Sequence, residues 1–600
     1  MESDKLLTLL EWFKENEIKW DEDFLEIRQI NGSFGVYALK DISKQKKLVT
    51  IPKTAILSTK STGIANILDD EEIDGGCSLA LAVLYEMSQG QDSPWYGYLQ
   101  ALPSSEDLPV FWSESEKAWF KGTEMEDAVY NDLNDLKDDY DSIVLPLLQK
   151  YPYIFENVEK HFSFDLFCRI STLISSRSFQ VDAYHENALV PFADIFNHRS
   201  GNEHVHFETD FDVCEACGQL EYCEHQYLEY LENGTDDEGE GSDEEGEWSD
   251  FEEMDQDEHD GTTEEQDEDE NEEEEEDKEL LDLEELENAQ VNFWQDDQEE
   301  EEPKDTCDMV LDKPVKAGQE IFNTYGQHPN IVLLSKYGFC HDNNQNDYVS
   351  IGEDAVFETC AKVIKDKYKS LSDEQVLDRV QERFAYFLMH EHILCPKEDE
   401  DEDGPEHDKC CGEEHDHEHE GGCCGGDENH DHDNETEEEE APQGRSKPYF
   451  ANVEGLYEDT LVCLLHTVFV DEKTFEKFAD DVEEALKYFE RLAADPNPNF
   501  KKTRKYSEMQ DTKKLVYTAC KLLSERRRCD YLDENGEWIP VEKDEETRRK
   551  VQNKREYYAL TCRISEKRII ERSIDYYASR IKLCNVEKRK DPRFKKKPRK

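Results

Sequence analysis

Two groups of side chains in this sequence have types and spacings suited to chemistry. The first is polar and aromatic. Residues 189–198 read Leu-Val-Pro-Phe-Ala-Asp-Ile-Phe-Asn-His, so Asn197 and His198 close an apolar run. Asn carries donors and acceptors together, and a neutral His donates from one ring nitrogen while accepting at the other. Such a pair can hold a polar ligand. A helix C-terminus ending in two polar residues would read the same way. More than a hundred residues later come Tyr325-Gly326 and Tyr337-Gly338-Phe339. Tyrosine rings can wall an apolar channel while their hydroxyls hydrogen-bond at its end; core packing is the alternative.

The second group is made of metal-ligand types. Cys214-Glu215-Ala216-Cys217 is followed by Cys223-Glu224-His225. Cys214, Cys217, Cys223 and His225 are enough for a closed tetrahedral zinc site, against the alternative of free thiols in a loop. The Cys-x-His half is tighter than usual. Residues 396–445 carry Cys410-Cys411, His415, His417, His419, Cys423-Cys424, His430 and His432. Their irregular spacing suits loose binding of Zn, Ni or Cu and defines no single geometry. No carboxylate pair and no Ser/His/Asp set has a persuasive setting.

Elements must bring these residues together. Leu166, Phe167, Ile170, Leu173 and Ile174 recur at helical spacing and lead into Ser176-Arg177-Ser178-Phe179. Lys316-Ala317-Gly318 reads as a turn into a short strand, Glu320-Ile321-Phe322, and Asn330 to Leu334 as helix. A first helix is expected over 4–19, with Leu6, Leu7, Leu10, Phe13 and Ile18 on one face. Residues 24–57 alternate like short strands, with a turn at Gly32-Ser33-Phe34-Gly35 and strand at Val36, Ala38 and Leu39. Residues 61–165 are mostly helical, and their aromatic cluster at 93–99 packs a core. Helices are also expected over 352–394 and 449–585.

Charge is unevenly placed. The formal net charge is -80. Residues 231–302 hold about 39 acidic residues against one lysine, and 398–440 about 22 against one. Without both, the balance is about -21, ordinary for a globular protein of this size. The last hundred residues carry about 31 basic against 17 acidic side chains. Segments 231–302 and 396–445 are expected to be disordered, since they cannot bury enough apolar surface to offset chain entropy. A solvated spacer and an electrostatic sleeve for a very basic partner are the two roles open to the first. The N-terminus lacks a signal pattern, and no apolar run is long enough for a bilayer. The cysteines then belong in a nucleus or cytoplasm, as thiols or metal ligands.

Three blocks stand in order: SFGVYALKDI at 33–42, SRSF through DIFNH at 176–198, and TYG through YGF at 324–339. Together they resemble the SET-domain protein lysine methyltransferases, in the subgroup typified by the Rubisco large-subunit methyltransferase and the fungal ribosomal-protein lysine methyltransferases. The likeness covers roughly residues 20–350 without the acidic insert. It implies an α+β fold: a SET domain of small β-sheets around a threaded pseudo-knot, with a helical insert, an all-α C-terminal domain and the two acidic inserts. The expected divisions are 1–60 (N-terminal helix and first SET part), 61–165 (helical insert), 166–207 (SET core with the cofactor motif) and 208–230 (candidate zinc loop). They continue as 231–302 (acidic), 303–350 (SET core with the tyrosines), 351–395 (helical), 396–445 (acidic, Cys/His-rich), 446–587 (helical, like a substrate-binding domain) and 588–600 (basic tail).

The resemblance also implies S-adenosyl-L-methionine as cofactor. Phe34 and Gly35 would form its backbone cradle; Ser33 stands where the family usually has glycine, so Gly35 carries the match. Arg177 would pair with the cofactor carboxylate, Asn197 would hold its amino-acid end, and the His198 backbone would meet the adenine. Asp194 is counted with this set, ordering the Asn-His turn. Tyr337 and Tyr325 would be catalytic, orienting a lysine amine that must first lose its proton. A structural zinc at the Cys/His loop is a further expectation. The implied substrate is a basic protein, ribosomal or otherwise tied to translation. A histone is the alternative within the class, and a non-catalytic acidic chaperone or scaffold the alternative outside it. Retention of Arg177, Asn197, His198, Tyr325 and Tyr337 argues against the latter. No membrane partner is expected, and no nucleic-acid contact beyond the basic tail.

If segment 231–302 serves as a sleeve, its deletion raises the apparent Michaelis constant for a basic protein at low salt and matters less at high salt, where the field is screened. Steady-state kinetics across a salt series checks this; an equal loss at every salt concentration would contradict the sleeve.

Overall fold

Apolar residues alternate with polar ones in strands such as Leu25–Ile30. The computed structural model describes residues 2–30, 33–199, 201, 203–209, 213–220, 223, 225, 305–396, 449–494, 503–533 and 535–590. The expectations for the acidic inserts and the basic tail lie outside these, apart from residue 396 and from residues 588–590, which continue the helix Lys554–Lys590. Within them the strands are β1 (Lys19–Trp20), β2 (Leu25–Ile30), β3 (Ser33–Ala38), β4 (Lys46–Pro52), β5 (Ser178–Gln180), β6 (Asn187–Leu189), β7 (Val205–Thr209), β8 (Thr306–Leu311), β9 (Glu320–Ile321), β10 (Tyr348–Ile351) and β11 (Tyr449–Asn452). They form small sheets in the orders β1-β4-β8-β7, β2-β3-β9, β5-β6 and β10-β11. All these pairs are antiparallel. Register follows burial: Val36 sits opposite Ile321, and both are buried.

The chain divides into two compact units, Met1–Phe211 with Thr306–Lys600, and Asp212–Asp305. The first unit contains two large apolar cores. One gathers the sheets β1-β4-β8-β7 and β2-β3-β9 with helices Glu2–Glu15, Gly75–Gln89 and Phe164–Ser175. The other belongs to helices Glu353–Lys367, Asp373–Leu394, Asp459–Phe469 and Arg504–Arg528 with the long Lys554–Lys590. A third, smaller cluster joins Phe120 and Met125 of the helical insert to Leu334 and Cys562.

Several local expectations shift. In the first helix Leu6, Leu10 and Phe13 face the core as expected, Leu9 and Trp12 join them, and Leu7 is 55% exposed instead. Phe34 and Gly35 are not in a turn. They already pair in β3, opposite Gln29 and Arg28, so the hairpin reverses earlier. The apolar run ending at Asn197-His198 is not a helix end: it passes through β6 and a single 3-10 turn, Ala193–Ile195. Within the region 449–585, expected to be helical, the helix Glu472–Asp480 stops before Asp481, whose carboxylate accepts the Glu483 N–H and starts a new helix, Val482–Ala493. β10 and β11 pair Tyr348 through Ile351 with Tyr449 through Asn452 at the entrance to the C-terminal helices, where no strand was expected.

Where the helical insert meets the C-terminal helices, the contact is polar and buried. Arg527 Nη2 donates to Glu124 Oε1 at 2.8 Å, and the Ser350 N–H donates to the same oxygen at 3.0 Å. The Tyr531 hydroxyl donates to Glu566, as does the Glu124 N–H at 3.2 Å. Burial, with Glu124 beside it, pushes the Glu566 carboxyl up to about 8 against the pull of Arg527 and Tyr531. Its folded pKa is raised, so the stability it contributes is full below the ordinary glutamate range and is lost as pH rises through about 8. Glu566→Gln therefore flattens the alkaline side of the stability curve. Calorimetric melting from about pH 5 to about pH 9 should show a smaller decline for the variant than for the parent; identical slopes would mean that Glu566 is ionised in the fold.

Candidate active site

The helix Phe164–Ser175 starts at Ser163, whose hydroxyl accepts the Leu166 N–H at 3.4 Å, and it buries Phe167, Ile170, Leu173 and Ile174. Its end delivers Arg177. The chain then runs through β5 and β6 to the 3-10 turn, entered by Phe192 at φ 82°. Beyond the turn, His198 forms a parallel bridge with Asn323. The Asn323 N–H donates to the Asn197 carbonyl and the Arg199 N–H to the Asn323 carbonyl, both at 2.9 Å. This pairing lays the Asn-His segment beside the chain leading to Tyr325.

Asp194 is buried below the pair. Its Oδ2 accepts the Tyr98 hydroxyl at 3.0 Å. Arg177 Nη1 donates to the Asp194 carbonyl at 3.1 Å, and Nη2 to Glu106 Oε1 at 3.0 Å. Burial works against the Arg177 charge, but Asp194 and Glu106 outweigh it and hold the guanidinium above its ordinary pKa. Arg177 Nε and Asp194 Oδ1 are buried without a hydrogen-bond partner among the described residues. Asn197 Nδ2 donates to the Phe34 carbonyl at 3.2 Å and to Glu320 Oε1 at 2.7 Å. Gly35 faces both: a Cβ there would lie 2.7 Å from Glu320 Oε1 and 3.0 Å from Asn197 Nδ2.

An aromatic row adjoins this cluster. The Tyr325 and Tyr337 rings stack at 4.4 Å and 9°, and His198 stacks on Tyr325 at 4.6 Å and 12°. Phe339 lies against His198 at 5.4 Å, and His328 beyond Tyr337 at 6.2 Å. Burial, with His341 and His328 adding to it, pulls His198 down to about 4. The ring is therefore neutral at pH 7, and its Nδ1 accepts the Tyr325 N–H at 2.7 Å. Burial raises the Tyr325 phenol to about 12, although Arg177 pulls the other way. Tyr325 thus stays protonated as a donor.

Arg177, Asp194, Asn197, His198, Phe34, Gly35, Tyr325 and Tyr337 accordingly gather in one region of the first unit. Gly338, at φ 72°, ends the helix Asn330–Tyr337, and a Cβ there would meet the Asp107 carbonyl at 3.2 Å. It allows close approach of the insert. Sequence reading gave no site role to Glu106, to Glu320 of the expected strand, or to His328 inside the 324–339 block. It read Tyr98 as core packing; Tyr98 is buried and also supplies a hydrogen bond to Asp194. Cys214, Cys217, Cys223 and His225 belong to the second unit and cluster there, with ligand atoms within 4.8 Å of one another.

No family model matches the chain. Ribosomal lysine N-methyltransferase 3 of Saccharomyces cerevisiae is 31% identical over 399 residues, which is 62% of this chain and 67% of that protein. The setd6 N-lysine methyltransferase of Xenopus laevis is 27% identical over 328 residues, 53% of each chain. The chain thus spans about two thirds of the yeast relative and about half of the frog one. Among solved structures, the SET domain of LSMT bound to lysine and AdoHcy superposes with a TM-score of 0.54 at 15% identity, covering 99% of this chain and 97% of that one. Rubisco LSMT bound to AdoMet gives 0.53 at 13%, with the same coverage. The small sheets and the aromatic row beside the Asn-His segment thus sit in an α+β SET fold. The chain belongs to the SET-domain protein-lysine methyltransferases of the Rubisco LSMT-like type.

The Asp194–Arg177 pair should be costly to break, because removing one partner leaves the other charge buried. Asp194→Ala is expected to lower stability by about 3 kcal/mol. The Asp194→Ala/Arg177→Ala double variant should fall short of the summed single losses by about 1 kcal/mol or more. Urea unfolding of the three variants measures this, and strictly additive losses would show that the two side chains are not coupled.

Proposed function

We propose that this protein is an S-adenosyl-L-methionine-dependent protein-lysine N-methyltransferase acting on a ribosomal protein. The observation that carries the reading is the joining of Asn197-His198 to Tyr325 by the bridge at Asn323, which puts polar binding groups next to stacked phenols. The residues present fit the cofactor. Arg177 Nη1 and Nη2 are held by Asp194 and Glu106, and the remaining Nε of this charged guanidinium suits a carboxylate. Asn197 beside the bare face of Gly35 suits a chain end with donors and acceptors. Glu106 and Asp194 keep Arg177 charged and in place.

The cofactor supplies an electrophilic methyl group on a sulfonium. The chain's own residues supply the rest. The faces of Tyr325 and Tyr337 wall an apolar path for a lysine stem, which suits its alkyl chain. The protonated Tyr325 hydroxyl is a hydrogen-bond donor, and it cannot itself take the proton that a lysine ammonium must lose. That proton must leave through water. His198, neutral at pH 7, adds no charge to the row beside the incoming ammonium.

A ribosomal substrate is supported by the name of the yeast relative and by the acidic balance of the chain, which favours basic partners. No relative named above points to a histone. A nuclear or cytoplasmic location belongs to the same proposal. Incubating the full chain with labelled S-adenosylmethionine and separate ribosomal-protein and histone fractions, with mass-spectrometric location of the label, tests the substrate class; label confined to histones would overturn it.

Tyr337→Phe removes one oxygen while keeping the stacked ring. Its melting temperature should stay within a few degrees of the parent and cofactor affinity should be kept, while methyl transfer drops by roughly a hundredfold or more. A variant that turns over near the parent rate would make Tyr337 a packing residue.

A further inference from the structure

The second unit carries a group of side chains that the transfer chemistry does not use. Cys214 Sγ, Cys217 Sγ, Cys223 Sγ and a ring nitrogen of His225 all lie within 4.8 Å of one another. Cys223 Sγ stands 3.8 Å from His225 Nδ1. A tetrahedral zinc, with Zn–S about 2.3 Å and Zn–N about 2.0 Å, sets its ligand atoms about 3.5–3.8 Å apart. The Cys223–His225 pair already has that spacing, and the cluster as a whole needs to close by roughly 1 Å at most to share one ion.

The backbone between the first two cysteines is shaped for this. The Cys214 carbonyl accepts the Cys217 N–H at 3.3 Å and the Gly218 N–H at 2.7 Å. Gly218 takes φ 71°, a left-handed conformation that leaves a side-chain-bearing residue strained. The Cys214 N–H donates to the Gln219 carbonyl at 3.0 Å and closes the turn. The result is a tight Cys-x-x-Cys-Gly knuckle that brings both thiols into the same cluster. Cys214 and Cys223 are buried, and none of the three cysteines is in a disulfide. Thiols packing as small apolar groups would account for the two buried sulfurs. They would not account for a histidine nitrogen turned toward the same point from an exposed residue.

We propose that Cys214, Cys217, Cys223 and His225 bind one structural zinc ion. Three thiols lose their protons to solvent and form Zn–S bonds, and neutral His225 gives the lone pair of Nδ1. Four protein ligands leave no open position, so the ion is structural rather than catalytic. The site stands close after β7 in the chain, at the start of a segment rich in carboxylates and poor in apolar side chains. Metal binding there supplies folding free energy that apolar burial in such a sequence cannot.

The test uses the full chain and separates this site from the Cys/His-rich segment 396–445. Purified protein, dialysed against a weak chelator, should hold about one zinc by elemental analysis. Cys217→Ser should reduce this to near zero, whereas replacing Cys410, Cys411, Cys423 and Cys424 with serine should leave it in place. Cobalt put in place of zinc should give the intense visible bands of a tetrahedral ion together with thiolate charge-transfer absorption. His225→Cys should keep the metal and strengthen the charge-transfer band, since a fourth thiolate joins the set. Zinc that persists in Cys217→Ser, zinc that follows the 410–424 cysteines, or weak octahedral-type cobalt bands in the parent would each overturn the proposal.

Discussion

A buried carboxylate, Asp194, ties together parts of the chain that are remote in sequence. Its side chain accepts the Tyr98 hydroxyl from the helical insert, and its carbonyl accepts Arg177 from the end of a core helix. Three residues later the same strand of chain supplies Asn197. Tyr98 is held in turn by Trp12, stacked at 6.0 Å and 29°. That packing depends on Gly97, where a Cβ would lie 2.4 Å from Trp12 Cβ. The first helix, the insert and the cofactor-side residues are thus one mechanical chain. Burying these charged groups is tolerable only because each has a partner.

The tyrosines are positioned by a second set of contacts. The helix Asn330–Tyr337 presents Tyr337 to Tyr325 and ends at Gly338 against the Asp107 carbonyl. Asp107 is also paired with Arg555 of the long C-terminal helix at 2.7 Å, and Arg555 reaches Glu116 at 3.0 Å. At the other end of the helix, Asn330 donates from its backbone to Asp347 Oδ1 at 2.6 Å and from its side chain to Oδ2 at 2.8 Å. The insert and the C-terminal helices therefore both brace the element that carries the proposed catalytic phenol. A motif that reads in sequence as one short stretch, Tyr-Gly-Phe, divides its labour: the tyrosine faces the site, and the glycine permits the brace.

Electrostatics and packing agree along the aromatic row. His198 is neutral and Tyr325 protonated because both are withdrawn from water. Arg177 keeps its charge because two carboxylates face it. Under the proposed assignment, Arg177 with its two carboxylates lies on the cofactor side, and neutral His198 with protonated Tyr325 lies on the lysine side.

Much of this was legible in the sequence. Helices Phe164–Ser175 and Asn330–Tyr337 follow from apolar spacing, and the residues gathered at the site follow from three ordered motifs. The Cys-x-x-Cys spacing announced the cluster that the second unit forms. These signals are local, carried by side-chain identity within a turn or two of helix. Other features only the tertiary structure decided: the Asn323 bridge, the place of Gly35 inside β3, the pairing of β10 with β11, and the roles of Glu106, Glu320 and Tyr98. Each depends on groups far apart in the chain meeting through backbone hydrogen bonds or a single buried charge. Backbone donors and acceptors are alike at nearly every residue, so a stretch of sequence does not record which distant partner they will find.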